Sequence, residues 1–156
     1  MYKYDDFNYR VYSVIPNQAR VLDIGCATGS LGEEIRANKA PRKLIGIEID
    51  KKSAHKARRI YDRVLVMDIE KITRLPFKRK SFDCIVLADI LEHLREPESL
   101  LRTVSQYLAD DGVLVVSSPN FEFILNRAII MLGKFEYSQK GILDKTHLRF
   151  FSMKSL

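Results

Sequence analysis

The sequence predicts an α/β fold built on a doubly wound, mainly parallel sheet, on two observations. Five short apolar runs, at 20–24, 43–49, 64–67, 82–87 and 113–117, have strand length and are near-continuous in Val, Ile and Leu, as strands covered on both faces are. Between them lie stretches of helical spacing, and strands alternating with helices give a doubly wound sheet.

The elements follow in order. The first 19 residues are aromatic, with Tyr2, Tyr4, Phe7, Tyr9 and Tyr12, and suit either a lid or a helix packed on the sheet. After the first run, Leu31 and Ile35 share a helical face until Asn38 and Pro41 end it. After the second, Ala54, Ala57 and Tyr61 repeat the pattern. The connection 70–81 carries Pro76 and has room for at most one helical turn. Leu100, Leu101, Val104 and Leu108 predict a helix over 97–108. Over 121–132 apolar residues lie on both sides of a helical pattern, which requires cover all round: a closure over the sheet edge or a substrate pocket, or a dimer or membrane-surface contact. Residues 133–143 read as loop, and a further helix begins near 150–156.

The chain has 156 residues, 46% of them hydrophobic, with 26 Lys+Arg against 20 Asp+Glu and a net charge of +6. That composition supports one core in one domain, 1–156, and excludes disorder, collagen and a disulfide scaffold. The two cysteines, Cys26 and Cys84, lie among apolar residues and predict reduced thiols in a cytoplasmic protein. The start of the chain lacks the layout of a signal peptide, and no apolar run approaches the ~20 residues of a membrane span.

The most informative segment is Val21-Leu22-Asp23-Ile24-Gly25-Cys26-Ala27-Thr28-Gly29-Ser30-Leu31-Gly32, a buried strand entering a glycine turn and then a helix. Glycines at such a place let backbone approach a ligand at a helix N-terminus. Their spacing, G-x-x-x-G-x-x-G, is one residue longer than the dinucleotide fingerprint, and no Lys-Ser or Lys-Thr of a P-loop follows. A nicotinamide-dependent oxidoreductase is thereby disfavoured.

These residues resemble the class I S-adenosylmethionine-dependent methyltransferases, small-molecule type, whose first strand and loop read approximately V-L-D-x-G-C-G-x-G. The resemblance spans nearly the whole chain, and it implies a Rossmann-like sheet of order 3-2-1-4-5. Ala27 replaces the central glycine, a methyl tolerated at negative φ that narrows the space beside the methionine part of the cofactor. It implies cofactor contacts from Asp23, Gly25, Cys26, Ala27 and Gly29 in the loop. Glu48, ending Leu44-Ile45-Gly46-Ile47-Glu48-Ile49-Asp50, falls where the family grips both ribose hydroxyls, a task suited to a carboxylate. Ile49 follows it. Asp68 falls where the adenine amino group is accepted and Ile69 where the ring is packed; Asp68 could equally cap a helical turn. Residues 81–94 resemble strand four and its exit, placing Ala88 beside the cofactor. Residues 108–120 resemble the turn into strand five, with Asp111 where a glycine is common.

Ligands of open α/β sheets sit beyond the carboxyl ends of the strands, so 88–93 and 118–120 should face the transferred methyl. His93 and His147 are the catalytic candidates; His147 lies in Asp144-Lys145-Thr146-His147-Leu148-Arg149-Phe150-Phe151, which resembles a segment of saccharide and secondary-metabolite methyltransferases. Histidine can take a proton from a hydroxyl near neutral pH, or anchor a loop. No H-x-x-H or C-x-x-C occurs, so no metal is expected, although ligands can converge from distant positions. The resemblance implies transfer from S-adenosylmethionine, leaving S-adenosylhomocysteine, to a small-molecule oxygen. A basic stripe, Lys52, Lys56, Arg59 and Arg63 on a helix within 51–63, suits a solvent face or, as an alternative, a nucleic-acid acceptor. Position 88–91, Ala-Asp-Ile-Leu, lacks the N-P-P-Y-like tetrapeptide of base-modifying relatives. The family's last two strands, an antiparallel hairpin beside strand five, have no counterpart before Leu156. That leaves open a homodimer through the strand-five edge or the 121–132 helix, and a degenerate, non-catalytic interaction module.

Overall fold

A computed structural model of the chain describes residues 7–124, 131–133, 144–152, 154 and 155. Five strands, β1 (Arg20–Ile24), β2 (Lys43–Glu48), β3 (Arg63–Val66), β4 (Phe82–Ala88) and β5 (Leu108–Ser117), form one sheet of order β3-β2-β1-β4-β5. Every neighbouring pair is parallel, as the sequence predicts.

Pleating divides the core in two. Val21, Cys84 and Val86 point to the face covered by α1 (Tyr9–Val14), α2 (Ser30–Asn38) and α3 (Lys51–Ala57). Leu22, Ile24, Ile85 and Leu87 point to the other, covered by α4 (Pro97–Ser105) and the segment holding Leu75, Leu91 and Leu94. The alternation follows from the two-residue period of a strand. Burial on both faces explains why β1, β2 and β4 carry continuous apolar runs.

Three boundaries differ from expectation. The strand β5 begins at Leu108, not 113, because Phe82 pairs with Leu108 and Cys84 with Val113. Residues 109–112 therefore bulge from the ladder, with Asp110 exposed and ion-paired to Lys80, so a turn signal lies inside a strand. Helix α4 accordingly ends at Ser105 and Leu108 belongs to β5, although it still packs against the core that α4 covers. Helix α3 ends at Ala57 because the chain must turn back, through Ile60 and Tyr61, beneath the glycine loop. Arg59 lies in that turn and Arg63 opens β3, so the basic stripe is not one helical face.

The connection after β3 holds a single 3-10 turn, Ile69–Lys71, as its proline predicts. Tyr2, Tyr4, 125–130 of the 121–132 helix and 134–143 of the following loop lie outside the described residues. Among the described residues no strand lies beyond β5, and no helix is long and apolar enough to cross a membrane.

Candidate active site

The glycine loop hangs from the end of β2. Gly25 and Cys26 both donate their N–H groups to the Ile47 carbonyl, at 2.8 and 3.1 Å, and Gly29 donates to Cys26 O at 2.9 Å. Gly25 and Gly29 have φ of +80° and +102°, a region that glycine enters without penalty. Ala27 has φ +46°, so the condition of negative φ, under which its methyl is readily tolerated, is not met. Its N–H donates to Glu48 Oε2 at 2.9 Å, and this charge-assisted bond holds the residue in the left-handed region.

Beneath the loop lies a buried pair. Asp23, 2% exposed, accepts from the Tyr61 hydroxyl at 2.5 Å. The Tyr61 ring fills the space left by two missing side chains, since a Cβ at Gly32 would approach it to 2.4 Å and one at Gly46 to 3.2 Å. Burial is the main reason that the Asp23 carboxyl is raised to about 6, against the lowering effect of the tyrosine bond. The tyrosine hydroxyl and the Cys26 thiol are both pushed up, chiefly by the same burial. Asp23 borders the loop cavity, but its bond to Tyr61 makes it a support of the loop. The sequence reading placed Tyr61 in the core and missed that role.

Two cavities meet at Gly25. One, of about 280 Å³, is lined by Glu48, Ile49, Asp68, Ile69, Ile90 and His93 among others. The second, of about 320 Å³, is lined by Asp23, Cys26, Ala27, Ala88 and Asp89, with Phe7 and Asn8 from the N-terminal segment. Within the described residues that segment packs inward on the core through Val11 and Ile15. A larger concavity of about 710 Å³, between Thr73, Phe77 and Tyr107, carries none of the candidate cofactor or catalytic residues.

Glu48 accepts from Ala27 N–H and, at 2.8 Å, from Asp50 N–H. A carboxylate has about four lone-pair sites, so it retains capacity for a diol. Asp68 caps the 3-10 turn through Glu70 N–H at 3.1 Å and pairs with Lys71 at 2.8 Å, chiefly because of which its carboxyl is lowered. It lines the first cavity as well, so the capping and pocket roles coexist.

Beyond β4 the chain makes a 3-10 turn, Leu91–His93. Its Glu92 is 1% exposed, and burial foremost raises its carboxyl. Oε2 accepts from Ser118 Oγ at 3.1 Å, whereas Oε1 is buried with no hydrogen-bond partner. Leu148 and Arg149 donate their N–H groups to the Glu92 carbonyl at 2.8 and 3.1 Å, folding the 144–151 segment back over the site. The His93 and His147 rings come to lie 4.9 Å apart. Sequence spacing could not show this meeting; Glu92 lies within the 88–93 stretch expected to face the methyl but was not singled out, and an acid between Leu91 and Leu94 was the available signal.

Cleft and fold together define a nucleoside-cofactor domain of the doubly wound class. A family profile described as "Methyltransferase domain" matches residues 3–156. The chain belongs to that family, in its S-adenosylmethionine-dependent class I branch. It is similar to a ubiquinone biosynthesis O-methyltransferase of Histophilus somni, 31% identical over 138 residues, covering 83% of this chain and 56% of the relative. A Mycobacterium tuberculosis protein named a probable S-adenosylmethionine-dependent methyltransferase is 33% identical over 100 residues, 64% of this chain and 35% of its own. The chain thus spans about half or less of these relatives' length. Among solved structures, a Thermotoga maritima S-adenosylmethionine-dependent methyltransferase, described as a possible histamine N-methyltransferase, superposes with TM-score 0.70 at 26% identity, over 93% of this chain and 62% of that one. A plantazolicin methyltransferase solved with S-adenosylhomocysteine shares the fold at TM-score 0.60 and 23% identity, over 80% and 46% of the two chains.

Proposed function

We propose that this chain transfers the methyl group of S-adenosylmethionine to an oxygen of a small-molecule acceptor. The observation that carries the reading is one cavity lined together by Gly25, Glu48, Asp68 and His93, with the His147 ring 4.9 Å from that of His93. The name of the Histophilus somni relative supports oxygen as the acceptor atom.

The residues fit the cofactor. Gly25 leaves a cradle that a Cβ would fill, 2.1 Å from Ile90 Cδ1. Glu48 would accept from the ribose diol, Asp68 from the adenine amino group, and Ile49 and Ile69 would pack on the ring. Helix α2 starts at Ser30 with Gly29 as its N-cap and no side-chain cap, so its first N–H groups suit the carboxylate of the methionine portion. When bound, the cofactor supplies an electrophilic methyl on sulfur whose leaving group is neutral. The chain's own work is then mainly to position the acceptor and exclude water. His93, which lines the cavity, and His147 beside it are the proposed groups to orient an acceptor hydroxyl or take its proton.

Incubating the chain with methyl-labelled S-adenosylmethionine and a panel of phenols, sugars, carboxylates and amines tests this reading. Label on an oxygen acceptor, reduced in His147→Ala with unchanged cofactor affinity, is the expected result. Label on amines alone would overturn it.

A further inference from the structure

We propose that Glu92, His93 and His147 bind one divalent transition-metal ion, of the zinc or manganese class, at the acceptor end of the cleft. Each offers one ligand atom, and these atoms lie within 4.8 Å of one another. The second observation is independent of that proximity. Glu92 is 1% exposed, yet its Oε1 has no hydrogen-bond partner, a state that buried carboxylate oxygens rarely keep. A cation held between it and the imidazoles satisfies it.

The arrangement is also held in advance. The 3-10 turn fixes Glu92 beside His93, and the Glu92 carbonyl carries the segment that delivers His147 through the Leu148 and Arg149 N–H groups. His93 Nδ1 lies 3.3 Å from Thr146 O and 3.2 Å from Thr146 Oγ1. An Nδ1–H donated there leaves Nε2 as the lone-pair donor, the outer-shell orientation typical of metal-bound histidine. Bonds of ~2.0–2.2 Å put neighbouring ligand atoms ~3–3.5 Å apart, so closing the site asks for side-chain movements of about 1–2 Å.

Donor type selects the ion. One carboxylate with two imidazoles suits zinc, manganese or iron(II), whereas magnesium and calcium favour oxygen throughout. Three protein ligands leave a coordination position open, and His93 lines the same cavity wall as Glu48 and Asp68. On the oxygen-transfer reading above, an acceptor hydroxyl would take that position, and coordination would lower its pKa enough for its proton to pass to bulk solvent before methyl transfer; the imidazoles would then be ligands rather than bases. Metal binding itself does not rest on that reading.

The test is a titration of chelator-treated chain with Zn2+ by calorimetry, with Mn2+ followed by electron paramagnetic resonance and Mg2+ as comparator. One ion per chain is expected, with affinity at least about tenfold weaker in both Glu92→Gln and His147→Ala. Retained stabilisation by S-adenosylhomocysteine shows that each variant is folded. Failure to reach one Zn2+ or Mn2+ per chain, equal affinity in wild type and both folded variants, or Mg2+ bound as tightly as Zn2+ would overturn the proposal. One-to-one metal binding without methylation of any oxygen acceptor would uphold the site and remove the oxygen-transfer reading.

Discussion

Replacing Tyr61 with Phe removes one hydroxyl and keeps the ring against Gly32 and Gly46. Asp23, buried at 2% exposure, loses its donor at 2.5 Å. Hydrogen bonds to charged groups contribute ~1.5–3 kcal/mol, so the variant should lose about 2 kcal/mol at pH 7.5, or roughly 4–8 °C in Tm. The loss should depend on pH in a particular direction. The folded-state pKa of Asp23 is raised to about 6, above the ~3.9 of an unfolded chain. The folded state therefore binds more protons between these values, and this group's contribution to stability falls as pH climbs from ~4 through ~6, by up to about 3 kcal/mol. Because the tyrosine bond favours the ionised form, its removal raises that pKa further. The penalty of Tyr61→Phe should thus be greatest above pH 6 and shrink to ~1 kcal/mol or less at pH 5, where the carboxyl is largely protonated. Urea unfolding of both proteins at the two pH values measures it. Equal losses at pH 5 and 7.5, or none at 7.5, would refute a buried ionisable support beneath the loop.

Other expectations come from the same geometry. Ala27→Gly relieves a left-handed alanine and should raise stability by about 1 kcal/mol without weakening cofactor affinity; a lower Tm would mean that the methyl contributes packing. Asp83, 23% exposed, accepts from the Arg20 backbone and side chain and pairs with Arg42, and the Arg20 bond chiefly lowers its carboxyl to about 2. Its stabilisation is present above the unfolded pKa near ~3.9 and lost as pH falls toward ~2. Asp83→Asn should cost roughly 1–2 kcal/mol at pH 7, after allowance for solvent screening, and progressively less in acid unfolding series. Gly32→Ala forces a methyl against the Tyr61 ring and should cost ~1–3 kcal/mol by overpacking, read as a shift in urea midpoint.

The central strands were legible because they are buried on both faces, so their composition reflects the sheet alone. At β5 the signal failed, since Asp110, Asp111 and Gly112 have turn chemistry but bulge from a ladder that Leu108 has already entered. Gly25, Glu48 and Asp68, named through the family resemblance at the ends of strands, line one cavity because parallel strands bring their carboxyl ends to the same edge of the sheet. The left-handed φ of Ala27 was not legible, because the residue is held by the Glu48 bond across the loop, which no local pattern encodes. Glu92 and His147 meet only through the fold: the neighbouring His93 and Thr146 are 53 residues apart in sequence.

The most direct test of the cofactor cleft is calorimetric titration with S-adenosylhomocysteine, beside NAD, for wild type and Glu48→Ala. The structure predicts saturable one-to-one binding of S-adenosylhomocysteine and not NAD, weakened about tenfold or more in the variant, from the ~1.5–3 kcal/mol of a charged hydrogen bond. Unchanged affinity in Glu48→Ala would contradict the ribose assignment, and binding of NAD in preference to S-adenosylhomocysteine would contradict the account as a whole.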